Sequence, residues 1–133
     1  MAIKAYLWVA LGSALGGAAR YGVSALFLVA GAQGFPWATL LINILGSFVI
    51  GFFNTLTAPE ARFFAPAHLR QFVMIGMCGG FTTFSAFSIE TIGLIARGAG
   101  LAAGVYVAAS LAFGLLVVWL GHALAARLNR LSV

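Results

Sequence analysis

The chain has 133 residues, of which 63% are hydrophobic and 7% charged, with a formal net charge of +5. A soluble domain of this length cannot hide so much apolar surface, because small domains bury only part of their surface on folding. The uncharged stretches 21–59 and 71–89 lack the polar–apolar alternation of barrel strands. The composition therefore predicts an all-α integral membrane protein whose spans need about 20 apolar residues each.

The basic residues flank the apolar stretches. In a soluble protein a charge of +5 would suggest a nucleic-acid partner, but here no such partner is expected. At the ends of membrane spans these side chains are interfacial anchors that face anionic headgroups of the lipid bilayer. They are Lys4, Arg62, Arg70, Arg97, Arg127 and Arg130.

The N-terminal stretch was weighed against a secretory signal peptide. Lys4 and the apolar residues 5–19 have the form of a short basic region and an apolar core. The apolar sequence, however, continues past Arg20 to Val29. We therefore predict a first helix that is retained.

Turn-forming residues divide the chain into four predicted transmembrane helices within one domain, residues 1–133. An even number of spans places both termini on one side, and the excess of Lys and Arg on that side predicts that it is cytoplasmic. The predicted helices run from Ile3 to Val29, from Trp37 to Leu56, from His68 to Ile95, and from the Gly98–Gly100 turn to Ala126, with a short basic tail beyond.

Small residues predict close helix contacts. Gly12 and Gly16, and likewise Gly100 and Gly104, form GxxxG patterns in apolar helices, where close backbone approach replaces the missing hydrophobic drive. Four helices make too small a bundle for a large internal pathway, so we also expect the protein to oligomerise.

The centre of the third predicted helix is the most informative stretch. Gly79 and Gly80 are expected to interrupt the helix there, and hydroxyl and phenylalanine side chains follow them. Irregular backbone at membrane depth is tolerated only where protein buries it or where it lines a wet cavity. Such a break predicts an ion or substrate site.

Several polar side chains lie inside the spans, and each has a structural and a functional interpretation. Arg20 either snorkels to the headgroups or lines a wet vestibule that attracts anions. Asn43 either makes an interhelical hydrogen bond or donates to a small anion. Tyr106 and Ser110 share a face of the fourth helix with Gly114, as a polar track or as hydroxyls bonded back to helix carbonyls.

The aromatic and acidic residues of the third helix also have two interpretations each. Phe84 and Phe87 share a face and serve either in packing or as ring edges along an anion path, since a phenyl ring has a positive edge. Glu90 is either a proton carrier or a local hydrogen-bond acceptor. Cys78 is interpreted as a small buried hydrophobe. No catalytic set or metal-ligand spacing is present in the sequence, so an enzyme is not expected.

Residues 79–87, Gly-Gly-Phe-Thr-Thr-Phe-Ser-Ala-Phe, closely resemble the signature of the Fluc family of fluoride channels, also called CrcB proteins. Asn43 within Leu-Ile-Asn-Ile-Leu-Gly, and Arg20 in a Gly-rich first helix, also fit the family. The resemblance implies a passive, fluoride-selective channel that exports cytoplasmic fluoride across the cell inner membrane and confers fluoride resistance. It also implies an antiparallel, dual-topology homodimer with two pores, although the charge bias of this chain argues against dual insertion.

The same resemblance implies roles for individual residues. Phe84 and Phe87 would form a phenylalanine box, Asn43 would donate to fluoride, and Tyr106 and Ser110 would begin the polar track. Backbone carbonyls of Gly79 and Thr82 from both subunits would hold a structural Na⁺ at the dimer interface. The remaining implied pore residues are Thr83, Ser85 and Arg20. The chain departs from the family at Gly114 and Ala86, where many members carry hydroxyls.

Two other functions were considered. A four-helix proton-coupled exporter of the small multidrug resistance type has a similar size, but it needs a membrane-embedded acid in helix 1, and this chain offers only Glu90 in helix 3. A non-transporting assembly subunit built on the GxxxG helices would leave the broken third helix unexplained.

Overall fold

The computed structural model describes residues 2–130, in which every regular element is a helix. The third span is divided into α3, residues 67–81, and α4. Within α3, π-helical turns over Gln71–Cys78 lie between the α-helical turns Ala67–Arg70 and Gly79–Phe81. The other helices are α1, Ala2–Val29, α2, Trp37–Leu56, α4, Phe84–Ala96, and α5, Gly100–Arg130. Met1 and residues 131–133, the ends of the predicted domain and basic tail, lie outside the described residues.

The predicted helix ends agree with the structure except at the C-terminus. α5 continues through Arg130 instead of ending at Ala126. Residues 122–130 contain no Gly or Pro to stop the helix. Arg127 and Arg130 lie in its last turn, where cations interact favourably with the negative end of the helix dipole.

In residues 2–130, three helices are long and apolar enough to cross a membrane. They are α2, the broken helix over 67–96, and α5. The protein is therefore an all-helical, multi-pass membrane protein. α1 has 28 residues but is not among the three, and the charges of Lys4 and Arg20 lower its hydropathy.

α1 packs closely along α3 through facing glycines. A Cβ on Gly76 would lie 2.8 Å from the Cα of Gly12, and one on Gly80 would lie 2.5 Å from the carbonyl oxygen of Ser13. The contacts advance together along both helices, so α1 and α3 run parallel. The GxxxG pattern that begins at Gly12 thus packs as predicted, against Gly76 and Gly80, a second pattern of the same spacing.

α2 packs along α5, also in parallel. A Cβ on Gly121 would lie 2.6 Å from the carbonyl oxygen of Phe48, and Gly51 approaches the backbone of Val118. Thr55 bonds to His122, 67 residues further along the chain, and Gly51 and Val118 are the same distance apart in sequence. This constant offset means that α2 and α5 run in the same direction.

The GxxxG pattern at Gly100 and Gly104 makes no close helix contact within residues 2–130, although such a contact was expected. A Cβ on either residue would meet no atom within 4 Å in the described chain. The prediction that this pattern marks a helix contact is therefore wrong within one chain. With the 67-residue offset between α2 and α5, Gly100 lies beyond the start of α2 at Trp37.

The charged ends of the helices meet at one end of the molecule. The ring of Trp8 in α1 lies 5.4 Å from that of His68 at the start of α3. Asn129 near the end of α5 donates to the Thr55 carbonyl near the end of α2 over 3.0 Å. Arg70 near the start of α3 donates to Asn54 near the end of α2, so the starts of α1 and α3 lie at the same end of the molecule as the ends of α2 and α5.

Gly16 and its neighbour Gly17 provide a matched test of the α1–α3 contact. A Cβ on Gly16 would collide with the Met77 carbonyl and lie 2.8 Å from the Phe81 amide nitrogen, whereas one on Gly17 would meet nothing within 4 Å. We expect Gly16→Ala to lower the free energy of unfolding by about 1–3 kcal/mol through overpacking. Gly17→Ala should be neutral or stabilising by up to about 1 kcal/mol, because alanine favours the helix. Thermal unfolding in detergent measures both, and equal midpoints for the two variants would contradict this packing.

Candidate functional site

The third span is broken at Thr82 and Thr83. Gly79 and Gly80 are helical, whereas Thr82 has φ −78° and ψ 156° and Thr83 has φ −151° and ψ 119°. The prediction that the two glycines interrupt the helix was wrong, because Gly80 instead lets α3 approach Ser13 of α1. The break itself lies three residues later, between α3 and α4.

Asn43 of α2 bonds to the broken backbone in both directions. Its Nδ2 donates to the Thr83 carbonyl over 3.1 Å, and its Oδ1 accepts from the Thr83 amide over 2.8 Å. The side-chain amide therefore replaces the helical partners that Thr83 lacks. The interhelical hydrogen bond considered for Asn43 is present, but it joins backbone rather than another side chain.

Threonine hydroxyls close the two helix ends at the break. Thr83 is the N-cap of α4, since its Oγ1 accepts from the Ala86 amide over 3.1 Å, and this hydroxyl lies 3.2 Å from that of Ser85. On the other side, Thr82 Oγ1 donates to the Cys78 carbonyl over 2.8 Å. Because the Thr83 amide donates to Asn43, the carbonyl of Gly79 loses its helical donor.

Glu90 of α4 accepts two hydrogen bonds from hydroxyls on neighbouring helices. Thr39 of α2 donates to Oε1 and Tyr106 of α5 donates to Oε2, both over 2.7 Å. A local hydrogen bond was one of the two interpretations of Glu90 from the sequence, but neither partner was predicted. Thr39 lies four residues before Asn43 and so on the same face of α2. This spacing was the one sequence signal that α2 presents a polar face to α4.

A row of aromatic rings leads from the break toward the core. The rings of Phe84 and Phe87 are 5.5 Å apart, and those of Phe87 and Tyr106 are 5.2 Å apart. Tyr106 is fully buried, with Phe35 against its other side at 5.6 Å, whereas Phe84 is 78% exposed. One end of this row is therefore packed within the chain and the other end is uncovered.

Two cavities meet the break from different sides. One, of about 300 Å³, is lined by Asn43, Ser47, Gly79, Thr82 and Thr83. The other, of about 320 Å³, is lined by Arg20, Ser24, Thr39, Thr83 and Glu90. Arg20 of α1 and Glu90 of α4 therefore line the same cavity.

Two predicted site residues carry unpartnered polar atoms. Arg20 Nε and Ser110 Oγ are buried without a hydrogen-bond partner among the residues that the structure describes. Ser110 therefore does not bond back to a helix carbonyl, which was the alternative to a polar track. The Oγ of Ser47 lies 3.9 Å from the position that a Cβ on Gly114 would take, so α2 places a hydroxyl beside this glycine.

Sequence reasoning missed a hydrogen-bonded cluster at the charged end of the molecule. Arg70 donates to Asn54 Oδ1 and to Thr57 Oγ1, each over 2.7 Å. Arg70 was expected to serve as a lipid anchor. Instead the guanidinium of Arg70 satisfies the C-terminal end of α2, where carbonyls lack helical donors.

In residues 2–130, no three His, Cys, Asp or Glu side chains come together as a metal-binding group. A cation at the break would depend on backbone carbonyl and hydroxyl oxygens, which suit hard ions.

The sequence was also compared with known proteins. A family model described as "CrcB-like protein, Camphor Resistance (CrcB)" matches residues 7–122. A protein of Methylocella silvestris named fluoride-specific ion channel FluC is 52% identical over 127 residues, which cover 96% of this chain and 97% of that protein. Proteins of the same name from Paramagnetospirillum magneticum and Rhodospirillum rubrum are 54% and 53% identical. They align with 94% and 93% of this chain and with 98% and 96% of their own lengths.

The Glu90 network gives a test of stability. Tyr106→Phe removes one of the two donors to the part-buried Glu90 carboxylate. Hydrogen bonds to charged groups contribute about 1.5–3 kcal/mol. We expect the free energy of unfolding to fall by that amount, while Tyr6→Phe, at a residue that is mostly exposed, should leave it unchanged. Thermal unfolding in detergent measures the difference, and a Tyr106→Phe protein as stable as the parent would show that the bond contributes nothing.

Proposed function

The chain belongs to the CrcB-like family, and we propose that it is a passive, fluoride-selective channel through which cytoplasmic fluoride leaves the cell. Relatives that align with more than nine-tenths of the chain carry the name fluoride-specific ion channel. These are channel names rather than enzyme names. The multi-pass helical fold agrees with a protein that works within a membrane.

The hydrogen-bond donors around the helix break carry the proposal. Fluoride is small and strongly hydrated, so a pore must replace its water with donors. The side-chain amide of Asn43 has two N–H protons, and only one is used on Thr83. The second is available at a cavity that also presents Thr83, and the hydroxyl of Ser85 lies beside that of Thr83.

The aromatic row supplies the wall of the path. The edges of Phe84 and Phe87 carry partial positive charge and face an anion without holding water strongly. Beyond them, Tyr106 and the unpartnered Ser110 hydroxyl begin a polar track along α5. Ser47 extends that track from α2, opposite Gly114.

Arg20 serves as the vestibule charge in this proposal. Its Nε is buried without a partner among the described residues, and a buried guanidinium N–H needs an acceptor. An anion or water in the cavity of Arg20 would supply it. The positive charge would also raise the local concentration of anions next to Thr83.

The working unit would be an antiparallel homodimer of four-span subunits with two pores. The break, the Gly79 carbonyl and the exposed ring of Phe84 lie on the uncovered face of one chain. Broken backbone is not stable against lipid, so a second copy is the natural cover. α1 would be the fourth span, since it runs parallel to α3 along its length, as alternate crossings require.

A structural Na⁺ at the two-fold axis fits the same backbone. The carbonyls of Gly79 and Thr82 lie at the break, where Gly79 lacks its helical donor. Carbonyl oxygens are ligands for hard cations and cannot serve an anion. Two such pairs, one from each subunit, would hold the ion, whose positive charge would help to join the copies.

The structure gives the alternative exporter no support from Glu90. Both of its carboxylate oxygens already accept hydrogen bonds, from Thr39 and Tyr106. Proton-coupled cation export would need this carboxylate to exchange its partners for substrate in every cycle.

Fluoride efflux from liposomes tests the proposed function directly. We expect the purified protein to release trapped fluoride rapidly, followed with a fluoride electrode, and to release no chloride from chloride-loaded controls. Selective passive release supports the channel. Well-incorporated dimers that release no fluoride would refute it.

Pore variants test the assigned residues. Phe87→Ile and Asn43→Ala should each lower fluoride efflux by roughly tenfold, equivalent to about 1.4 kcal/mol in the barrier. Phe84→Ile should behave in the same way. Phe63→Ile, in the loop before α3 where the ring lies beside Arg62, is the matched control and should conduct like the parent. Parent-like efflux from the Phe84, Phe87 and Asn43 variants, with dimers intact by size exclusion, would show that the pore lies elsewhere.

A further inference from the structure

A third cavity lies at the C-terminal end of α4, away from the helix break. Its volume is about 390 Å³, and its lining includes Phe35, Pro36, Glu90, Gly93, Leu94 and Arg97. Glu90 also lines the cavity of Arg20. The two cavities therefore approach each other at this carboxylate, with one arginine on each side.

The Arg97 side chain folds back along α4 toward Glu90. A Cβ on Gly93 would lie 3.6 Å from Nη1 of Arg97, so the guanidinium lies over the glycine one turn earlier. Glu90, Gly93 and Arg97 share one face of the helix by their spacing. The missing side chain at Gly93 gives the guanidinium its place beside the cavity.

The charge of Arg97 is not neutralised by a neighbour. Within the part of the chain that the structure describes, its guanidinium makes no hydrogen bond or ion pair. Glu90, the nearest acid along this face, has both oxygens bonded to Thr39 and Tyr106. Arg97 is exposed, and the walls beside it are the apolar Phe35, Pro36 and Leu94.

We propose that this cavity is a cationic mouth of the anion path, in which Arg97 concentrates fluoride at the end of the path beyond Glu90. The inference rests on the proposed channel function and adds a residue and an entrance to it. A fixed charge in a cleft with low-dielectric walls focuses the field and raises the local concentration of counter-ions. The mouth would therefore increase flux most when fluoride and salt are dilute.

The test replaces the charge chemically at one position. Arg97→Cys, in a Cys78→Ala background, is reacted in detergent with a methanethiosulfonate carrying either trimethylammonium or sulfonate, and is then reconstituted. We expect the unreacted variant to lose about tenfold in fluoride efflux at low ionic strength, the lower end of focusing effects. The cationic reagent should restore most of the flux, and the anionic reagent should lower it further.

The controls vary the salt concentration and the position of the substituted arginine. The loss should shrink near 1 M inert salt, because the Debye length falls from about 10 Å at 0.1 M to about 3 Å. Arg97→Lys should keep most of the flux. Arg127→Cys, in the last turn of α5, should respond to neither reagent.

The outcomes separate this inference from the function on which it rests. Absence of fluoride release from the parent would refute the channel, and the mouth with it. Normal release from the parent, together with equal flux after either reagent at position 97, would refute the cationic mouth alone. A loss of flux that the cationic reagent does not restore would show that Arg97 is needed for structure rather than for its charge.

Discussion

The architecture depends on satisfying one broken stretch of backbone at membrane depth. Two consecutive residues, Thr82 and Thr83, leave the helical conformation, and hydrocarbon offers no hydrogen bonds to replace those lost. The side-chain amide of Asn43 carries both a donor and an acceptor and bonds to both backbone groups of Thr83. An ionised aspartate at that position would supply only the acceptor. The break can therefore exist only where α2 is held beside it.

The two parallel helix pairs hold α2 in that position. α1 fixes α3 through glycine contacts, and α5 fixes α2 through another set, so the helix before the break and the helix that bonds to the break belong to different pairs. At the break itself, α2 makes its contacts through Asn43, which bonds to Thr83, and Gly46, where a Cβ would collide with the Thr82 methyl group. Close packing at small residues thus sets the geometry of the polar site, because the hydrophobic effect gives little drive between helices in lipid.

The sequence predicted much of this arrangement, and its errors have physical causes. Hydropathy and turn residues located the helices, because bilayer thickness and helix-breaking residues act locally. The position of the break was missed because glycine served as a packing residue at Gly80, while the extended conformation fell on Thr82 and Thr83. The partners of Glu90 and Arg70 were missed because they come from other helices. The pore assignments of Phe84 and Ser85 stay predictions, since they concern a face that one chain leaves open.

The Glu90 network limits how the proposed path can work. A hydroxyl has one proton, and those of Thr39 and Tyr106 are both given to the carboxylate. In the proposed path, an anion at Tyr106 would have to accept the hydrogen bond that Glu90 now accepts, so fluoride and the carboxylate would compete for the same donors. Such a site remains satisfied when it is empty, which removes the cost of unpaired hydroxyls in the membrane. It would also favour small anions that accept strong hydrogen bonds. Only such anions can compensate for the two hydrogen bonds that the carboxylate would lose. In the proposed path, the Glu90 carboxylate would then occupy the donors in place of the ion.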